Sequence, residues 1–189
     1  MEELQILAAK RDAALRAAEM VADGMVIGLG TGSTVDFVLQ GLGRRIADGL
    51  SIAGVPTSYQ TAIRARQYGI PLTTLDDHPS LDLAIDGADQ VDGAKRLIKG
   101  GGAALTREKC VAAAAAELVI VVDPGKLTDA LRAPVPIEVL PFAVTPLLKQ
   151  LRMAGGEPSL REGVRKDGPV ITDNGNFVVD CAFGVIERP

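Results

Sequence analysis

The hydrophobic and polar positions of the first two thirds of the chain predict helices and buried strands in alternation. Apolar residues from Leu4 to Met20 recur at helical spacing, which predicts a helix of about five turns that ends near Gly24. Short apolar runs then predict strands at 25–30, 51–55, 72–75, 81–85 and 118–122. Amphipathic or alanine-rich stretches between them predict helices at 35–48, capped by Ser33 or Thr34, at 58–68 and at 103–116. This alternation indicates a mostly parallel sheet with helices on both faces.

The pattern changes near residues 131–134. A short run at 135–139, flanked by prolines, predicts a strand, and 145–153 predicts a helix that stops at Gly155. Residues 170–172 and 177–180 predict a β-hairpin, because Asn174 and Gly175 suit a tight turn. We therefore expect a large α/β domain at 1–131 and a small α+β domain at 132–189.

The composition agrees with a parallel α/β architecture. Hydrophobic residues make up 47% of the 189 residues, but aromatic residues only 3%, so Ala, Val, Ile and Leu must form the core. The net charge is −4 without a strongly basic segment, which argues against a nucleic-acid partner. The N-terminal segment has no signal-peptide core and no apolar run reaches about 18 residues, so we predict a cytoplasmic protein without a membrane partner.

The cysteine and histidine content gives no sign of a metal site or a disulfide. Cys110 and Cys181 lie far apart, and His78 is the only histidine. Because free cysteines are most often buried, we expect both thiols to lie in the interior.

The glycine-rich segment 30–34 lies between a predicted strand and a predicted helix. Backbone N–H groups at a helix N-terminus bind anions, and the segment adds hydroxyl groups. The candidate anion-binding residues are Thr31, Gly32, Ser33 and Thr34. A dinucleotide-binding turn is the rival interpretation, but Ser33 stands where its third glycine belongs, and no acidic residue follows a clear strand about 20 positions later. We favour a monophosphate.

Two further segments carry candidate site residues. Asp86, Gly87, Ala88 and Asp89 follow the apolar strand at 81–85, where ligands of open α/β sheets bind. A metal site with Asp92 as a third carboxylate is conceivable, but nothing else in the sequence supplies ligands for Mg²⁺ or Ca²⁺.

The second of these segments runs from Lys99 to Glu108. Three consecutive glycines, Gly100, Gly101 and Gly102, suit a close approach of the backbone to a ligand, and Lys99 could stabilise an oxyanion. Glu108 lies on the helix that follows. A phosphate loop, carboxylates and a lysine suffice to move a proton between neighbouring carbons of a sugar phosphate.

Five ordered stretches resemble the type A ribose-5-phosphate isomerase family. They are GLGTGST at 28–34, DGADQVD at 86–92, KGGGAALTREK at 99–109, PIEVLP at 136–141 and VITDNGN at 170–176. The family resemblance implies a Rossmann-like domain followed by a smaller ferredoxin-like domain. It also implies interconversion of ribose 5-phosphate and ribulose 5-phosphate through an enediol(ate), with no cofactor and no metal, by a homodimer or a dimer of dimers.

The resemblance also implies roles for single residues. Glu108 matches the base that carries the proton between C1 and C2, and Lys99 matches the lysine that stabilises the oxyanion. Asp86 and Asp89 match substrate-binding carboxylates, of which Asp86 is the partner in ring opening. The substrate-binding positions further comprise residues 31–34, 87, 88 and 100–102 together with Lys10 and Lys126, two lysines that spacing alone would place on the surface.

The chain departs from the family pattern in two places. Gln90 stands where the family usually has Glu, and we expect little effect. The family also continues after the hairpin, so we expect the small domain to lack its C-terminal part. Related scaffolds leave alternatives open: an amino-sugar-phosphate isomerase, a CoA transferase with Glu108 as nucleophile, or a non-catalytic sugar-phosphate sensor.

Overall fold

The computed structural model describes residues 3–189 and divides into two compact units. The first unit comprises the described residues up to Gly87 together with Thr106–Lys126, and the second comprises Ala88–Leu105 with Leu127–Pro189. The chain thus leaves the first unit after Gly87 and returns to it at Thr106. The domain limits 1–131 and 132–189 stay a prediction.

The helices and strands are as follows. The first unit contains α1 (Glu3–Glu19), β1 (Val26–Leu29), α2 (Ser33–Ala47), β2 (Ala53–Pro56), α3 (Tyr59–Gln67) and β3 (Leu81–Asp86). The chain then forms β4 (Gln90–Asp92), β5 (Leu97–Ile98), α4 (Leu105–Ala114), β6 (Ala115–Ile120) and β7 (Leu127–Thr128). The last elements are β8 (Val135–Val139), α5 (Val144–Met153), β9 (Glu157–Leu160) and β10 (Phe177–Ala182).

A four-stranded parallel sheet forms the centre of the first unit. Its strand order is β2-β1-β3-β6, and each neighbouring pair is parallel. Ile27 and Ile85 belong to the larger hydrophobic cluster, which α1, α2 and α3 cover, whereas Ala84 packs with Val111 of α4. Because neighbouring residues of a strand face opposite sides, these two clusters lie on the two faces of the sheet. The predicted fold class, an open parallel sheet flanked by helices, is confirmed.

The second unit is built from two small sheets. The antiparallel sheet has the order β8-β10-β9, and α5 packs against β9. The other sheet has the order β5-β4-β7. The prediction of a smaller α+β region is therefore confirmed.

Four short strands were not predicted, namely β4, β5, β7 and β9. With two to four residues each, they are too short to show an alternating pattern. Pairing with other strands stabilises them: β4 pairs with β5 and β7, and β9 pairs with β10. Conversely, the predicted strand at 72–75 is wrong, because only Leu72 forms a single bridge, to Gly54. The predicted hairpin is half wrong: Ile171 makes one bridge to Phe177, and β10 pairs instead with β8 and β9.

Three helix predictions also need correction. The helix α1 ends at Glu19, earlier than predicted. The helix α4 ends at Ala114, because the alanines that follow pair with β3, in a register that sets Leu81 opposite Ala115. Pairing in the sheet here overrides the helical propensity of alanine. The helix α2 begins at Ser33, two residues earlier than predicted, with Gly32 as its N-cap.

The two cysteines differ in environment. Cys181 on β10 is buried, as predicted, but Cys110 on α4 is exposed, so that prediction is wrong. The side of a helix on which a thiol lies depends on packing, which the position in the sequence did not reveal. Within residues 3–189, no helix is both long and apolar enough to cross a membrane.

Candidate active site

Asp86 lies at the carboxyl end of β3 in the centre of the parallel sheet. Its side chain is buried, with 4% of the residue exposed. The carboxylate oxygen Oδ1 accepts hydrogen bonds from the N–H groups of Thr31, at 3.1 Å, and of Gly87, at 2.7 Å. The loop after β1 thus holds the carboxylate at the edge of the sheet where α/β proteins bind ligands.

Gly30 makes this close approach possible. Its N–H donates to the carbonyl of Ile85 at 2.9 Å. A Cβ atom at Gly30 would lie 2.1 Å from Oδ1 of Asp86 and 2.7 Å from its Cα atom. Any larger residue would therefore displace either the loop or the carboxylate.

The N-terminus of α2 carries the residues of the predicted anion site. Gly32, with φ of +125°, precedes the helix and provides no side-chain cap, so the predicted capping role of Ser33 and Thr34 is wrong. Both residues lie in the first turn, where backbone N–H groups lack partners within the helix. Lys10 of α1 donates from Nζ to Ser33 Oγ at 3.2 Å, which places a positive charge at this helix end.

Lys10 is itself held by Asp123. Its Nζ lies 4.0 Å from Oδ2 of Asp123, whose side chain is almost fully buried. The carbonyl of Asp123 accepts from the N–H of Lys126 at 3.0 Å, so the turn that carries Lys126 is anchored at the same residue. The structure therefore places both predicted lysines near Asp123, which sequence reasoning did not select.

A cluster of hydroxyl groups supports the loop from within. Thr31 Oγ1 donates to Ser58 Oγ at 2.9 Å, Ser58 Oγ donates to Thr61 Oγ1 at 3.0 Å, and Thr61 Oγ1 donates to the carbonyl of Gly30 at 2.7 Å. Thr57 Oγ1 donates to the carbonyl of Leu29. The hydroxyl of Thr31 thus contacts the protein interior. Sequence reasoning missed the other three residues: Thr57 and Ser58 follow β2 directly, and Thr61 lies on α3.

Glu108 lies in the first turn of α4 and is 5% exposed. Glu108 and Asp86 border the same small internal gap, which leaves no room for a water molecule, together with residues such as Gly28, Gly30 and Thr57. A glutamate on a helix is ordinarily exposed, so its burial beside a second carboxyl group marks it out. Two neighbouring buried carboxyl groups are suited to acid–base chemistry.

The second unit holds Asp89 and the loop of three glycines. Asp89 Oδ2 accepts a hydrogen bond from the N–H of Gly101 at 2.8 Å. A Cβ atom at Gly101 would lie 2.6 Å from Asp89 Oδ1, so a larger residue would push this carboxylate away from the loop. Gly100 has φ of +109° and Ala103 has φ of +62°, a conformation that favours glycine. Lys99 follows β5 directly and is half-buried.

Comparison with known proteins decides the family. The family model for ribose 5-phosphate isomerase A, also described as phosphoriboisomerase A, matches residues 53–189. The chain belongs to this family. A ribose-5-phosphate isomerase A of Methanoregula boonei is 65% identical over 184 residues, which are 97% of this chain and 78% of the relative. The predicted enzyme class, an isomerase, is thereby confirmed.

Solved members of the isomerase family share the fold. A D-ribose-5-phosphate isomerase solved in complex with phospho-erythronic acid aligns with a TM-score of 0.95 at 46% identity, over all of this chain and 83% of the other. The ribose 5-phosphate isomerase A of Methanocaldococcus jannaschii aligns with a TM-score of 0.92 at 45% identity, over 96% of this chain and 81% of the other.

Gln90, the departure from the usual pattern of the isomerase family, has a structural contact. Its side-chain oxygen accepts from the N–H groups of Arg132 at 2.8 Å and Ala133 at 2.9 Å. A carboxylate could accept the same two hydrogen bonds, so the replacement preserves the acceptor.

Asp92, the possible third carboxylate of a metal site, is engaged with Arg96. Its Oδ2 accepts from Arg96 Nε at 2.6 Å. The pKa of Asp92 is lowered, first by the backbone N–H of Arg96 and further by its side chain, against the opposing effect of burial. Among residues 3–189, no three His, Cys, Asp or Glu side chains are grouped so that they could hold a metal ion.

Proposed function

We propose that the protein interconverts D-ribose 5-phosphate and D-ribulose 5-phosphate through an enediol(ate), without a cofactor, in the non-oxidative branch of the pentose phosphate pathway. The observation that carries this proposal is the burial of two neighbouring carboxyl groups, those of Glu108 and Asp86. The named activity of the relatives and the sugar-acid phosphate bound by one solved relative support the choice of substrate.

The substrate phosphate binds, in this proposal, at residues 31–34 and Lys10. The first N–H groups of α2 and the ammonium group of Lys10 supply the positive potential that a phosphate requires. The N–H of Thr31 donates to Asp86. The loop that binds the phosphate in this proposal therefore also contacts the carboxylate at the end of β3. Lys126 adds a second positive charge on the turn that Asp123 anchors.

Glu108 moves the proton between the two carbons. Its carboxylate removes the proton from C2 of the open-chain aldose, and the electrons of the C2–H bond form the C1–C2 double bond as the carbonyl oxygen on C1 becomes an oxyanion. Lys99 stabilises this oxyanion. Asp86 transfers the hydroxyl protons during ring opening, and it carries the proton of the C2 hydroxyl to the C1 oxygen as the C2 hydroxyl becomes a carbonyl. Glu108 then returns its proton to C1, which completes the ketose. Asp89 and the backbone of residues 100–102 bind the substrate hydroxyls.

Replacement of Glu108 by Gln tests the proposal. We expect wild-type activity on ribose 5-phosphate to persist in EDTA without added nucleotide, and Glu108→Gln to lose about 10²–10⁴-fold in kcat, the usual contribution of a general base. Glu117→Gln is the matched control, because Glu117 is exposed on β6. Near-normal turnover of Glu108→Gln would contradict the assignment. Acylation of Glu108 by an acyl-CoA would favour a transferase instead.

The oligomeric state and the cellular location of the protein remain predictions. A homodimer or dimer of dimers is expected from the family resemblance, and light scattering coupled to gel filtration measures it. The cytoplasmic location is expected because the family consists of metabolic enzymes.

A further inference from the structure

Arg161 lies directly after β9 and contacts the loop of three glycines. Its Nε and Nη2 atoms donate to the two carboxylate oxygens of Asp180 on β10. Its Nη1 atom donates to the carbonyl oxygens of Gly100, at 3.2 Å, and of Gly101, at 3.0 Å. All of these residues belong to the second unit, and 18% of the Arg161 side chain is exposed.

These contacts fix one peptide group at both ends. The carbonyl of Gly100 and the N–H of Gly101 belong to the same peptide bond and point in opposite directions, because the bond is planar and trans. Arg161 holds the carbonyl, and Asp89 accepts from the N–H at 2.8 Å. Glycine has the widest conformational freedom of any residue, so this peptide would rotate easily without such contacts.

The geometry of Arg161 suits this task. A guanidinium group has five N–H donors in one plane, so it can bind a carboxylate with two of them and still donate to backbone carbonyls. The pKa of Arg161 is raised, first by the hydrogen bond with Asp180 and further by the negative charges of Asp180 and Asp89, against the effect of burial. The group therefore stays charged while it contacts the loop. A lysine could not make the same set of bonds.

We propose that Arg161 is a positioning residue of the isomerase: it fixes the peptide between Gly100 and Gly101 and thereby the carboxylate of Asp89. This inference rests on the proposed function, which assigns Asp89 and residues 99–102 to the substrate. Asp180 anchors the guanidinium group to the antiparallel sheet. In that sheet, Asp180 itself is paired with Pro136 on β8 and Ser159 on β9. A loop of high intrinsic freedom thus takes its conformation from a rigid sheet.

Arg161→Met tests the inference, since Met retains the aliphatic stem and removes every donor. We expect kcat/KM to fall about tenfold, because the hydrogen bond between Gly101 and the charged Asp89 weakens. We expect Arg161→Lys to recover part of this loss, because its ammonium group restores the charge and can donate to some of the same acceptors. Arg152→Met is the matched control, because Arg152 is exposed on α5. Wild-type kinetics in folded Arg161→Met would overturn the inference.

A second readout does not depend on activity. Hydrogen exchange of the Gly101 N–H, followed by NMR, should be at least about tenfold faster in Arg161→Met, because the Asp89 contact weakens. If that variant does not fold, Arg161→Lys is measured instead, and a smaller acceleration of exchange is expected, because the lysine restores only part of the contacts. Unchanged exchange at Gly101 overturns the inference. An inactive wild-type enzyme contradicts the proposed function alone, and the exchange rate then still decides the role of Arg161.

Discussion

The two units hold their candidate carboxylates in different ways. In the first unit, Asp86 receives two backbone N–H groups at the end of a buried parallel strand, and neutral hydroxyl groups support the loop that supplies one of them. In the second unit, Asp89 receives one N–H from a glycine loop that a charged side chain, Arg161, holds from the other side. Asp86 thus lies on the central sheet itself, whereas Asp89 contacts a glycine loop that the side chain of Arg161 also contacts.

The largest effect is expected from Gly30→Ala in the first unit. Because the new Cβ would lie 2.1 Å from Asp86 Oδ1, either the loop or the carboxylate must move. We expect kcat/KM to fall by about 10²-fold or more and the free energy of unfolding to fall by about 1–3 kcal/mol. Steady-state kinetics and thermal unfolding measure the two effects.

The control for Gly30→Ala is Gly93→Ala, because Gly93 is exposed and nothing lies within 4 Å of a Cβ built on it. Equal effects of the two substitutions would contradict the view that the close approach of β1 and β3 sets the position of Asp86.

A smaller effect is expected from Gly101→Ala in the second unit. The new Cβ would lie 2.6 Å from Asp89 Oδ1, but the carboxylate is half-exposed and can rotate away. The hydrogen bond between Gly101 and the charged Asp89 would weaken, at a cost of about 1.5 kcal/mol or about tenfold in kcat/KM. Kinetics compared with Gly93→Ala measure the loss. A loss as large as that of Gly30→Ala would remove the contrast between the two units.

The smallest effect concerns the two thiols, one in each unit. At pH 8 we expect a thiol reagent to modify Cys110 and to leave Cys181 unmodified until the protein unfolds. Burial raises the pKa of Cys181, so less of it is thiolate at this pH, and access is also blocked. Thiol counts before and after denaturation check this, and Cys110→Ala should abolish the fast phase. Equal rates for both thiols would show that β10 is not protected.

The strands of the first unit could be predicted more completely than those of the second, because the two units differ in the length of their apolar runs. Buried parallel strands such as β3 are continuous apolar runs, which sequence analysis detects. The strands β4, β5 and β7 have two or three residues each. Runs of this length show no period in the sequence. They form through pairing: β4 pairs with β5, which follows it closely, and with β7, which lies much later in the chain.

The candidate site shows the same division. The motifs around Thr31, Asp86, Lys99 and Glu108 were recognisable because glycine and charged residues stand at fixed spacing near strand and helix ends. The burial of Glu108 could not be recognised from the sequence, because a glutamate on a helix is exposed by default. Its position follows from the packing of α4 on the sheet, where Val111 contacts Ala84.

By itself, the sequence determined the family, the alternation of strands and helices in the first unit, and the residue types that can bind a phosphate and move a proton. These properties depend on spacing along the chain. Only the tertiary structure decided the hydroxyl cluster around Thr61, the exposure of Cys110 and the contact of Arg161 with Gly100. Thr61 and Arg161 lie 31 and 61 residues from the carbonyls they bind. The free energy of such contacts arises only when folding brings distant segments together, so no local pattern encodes them.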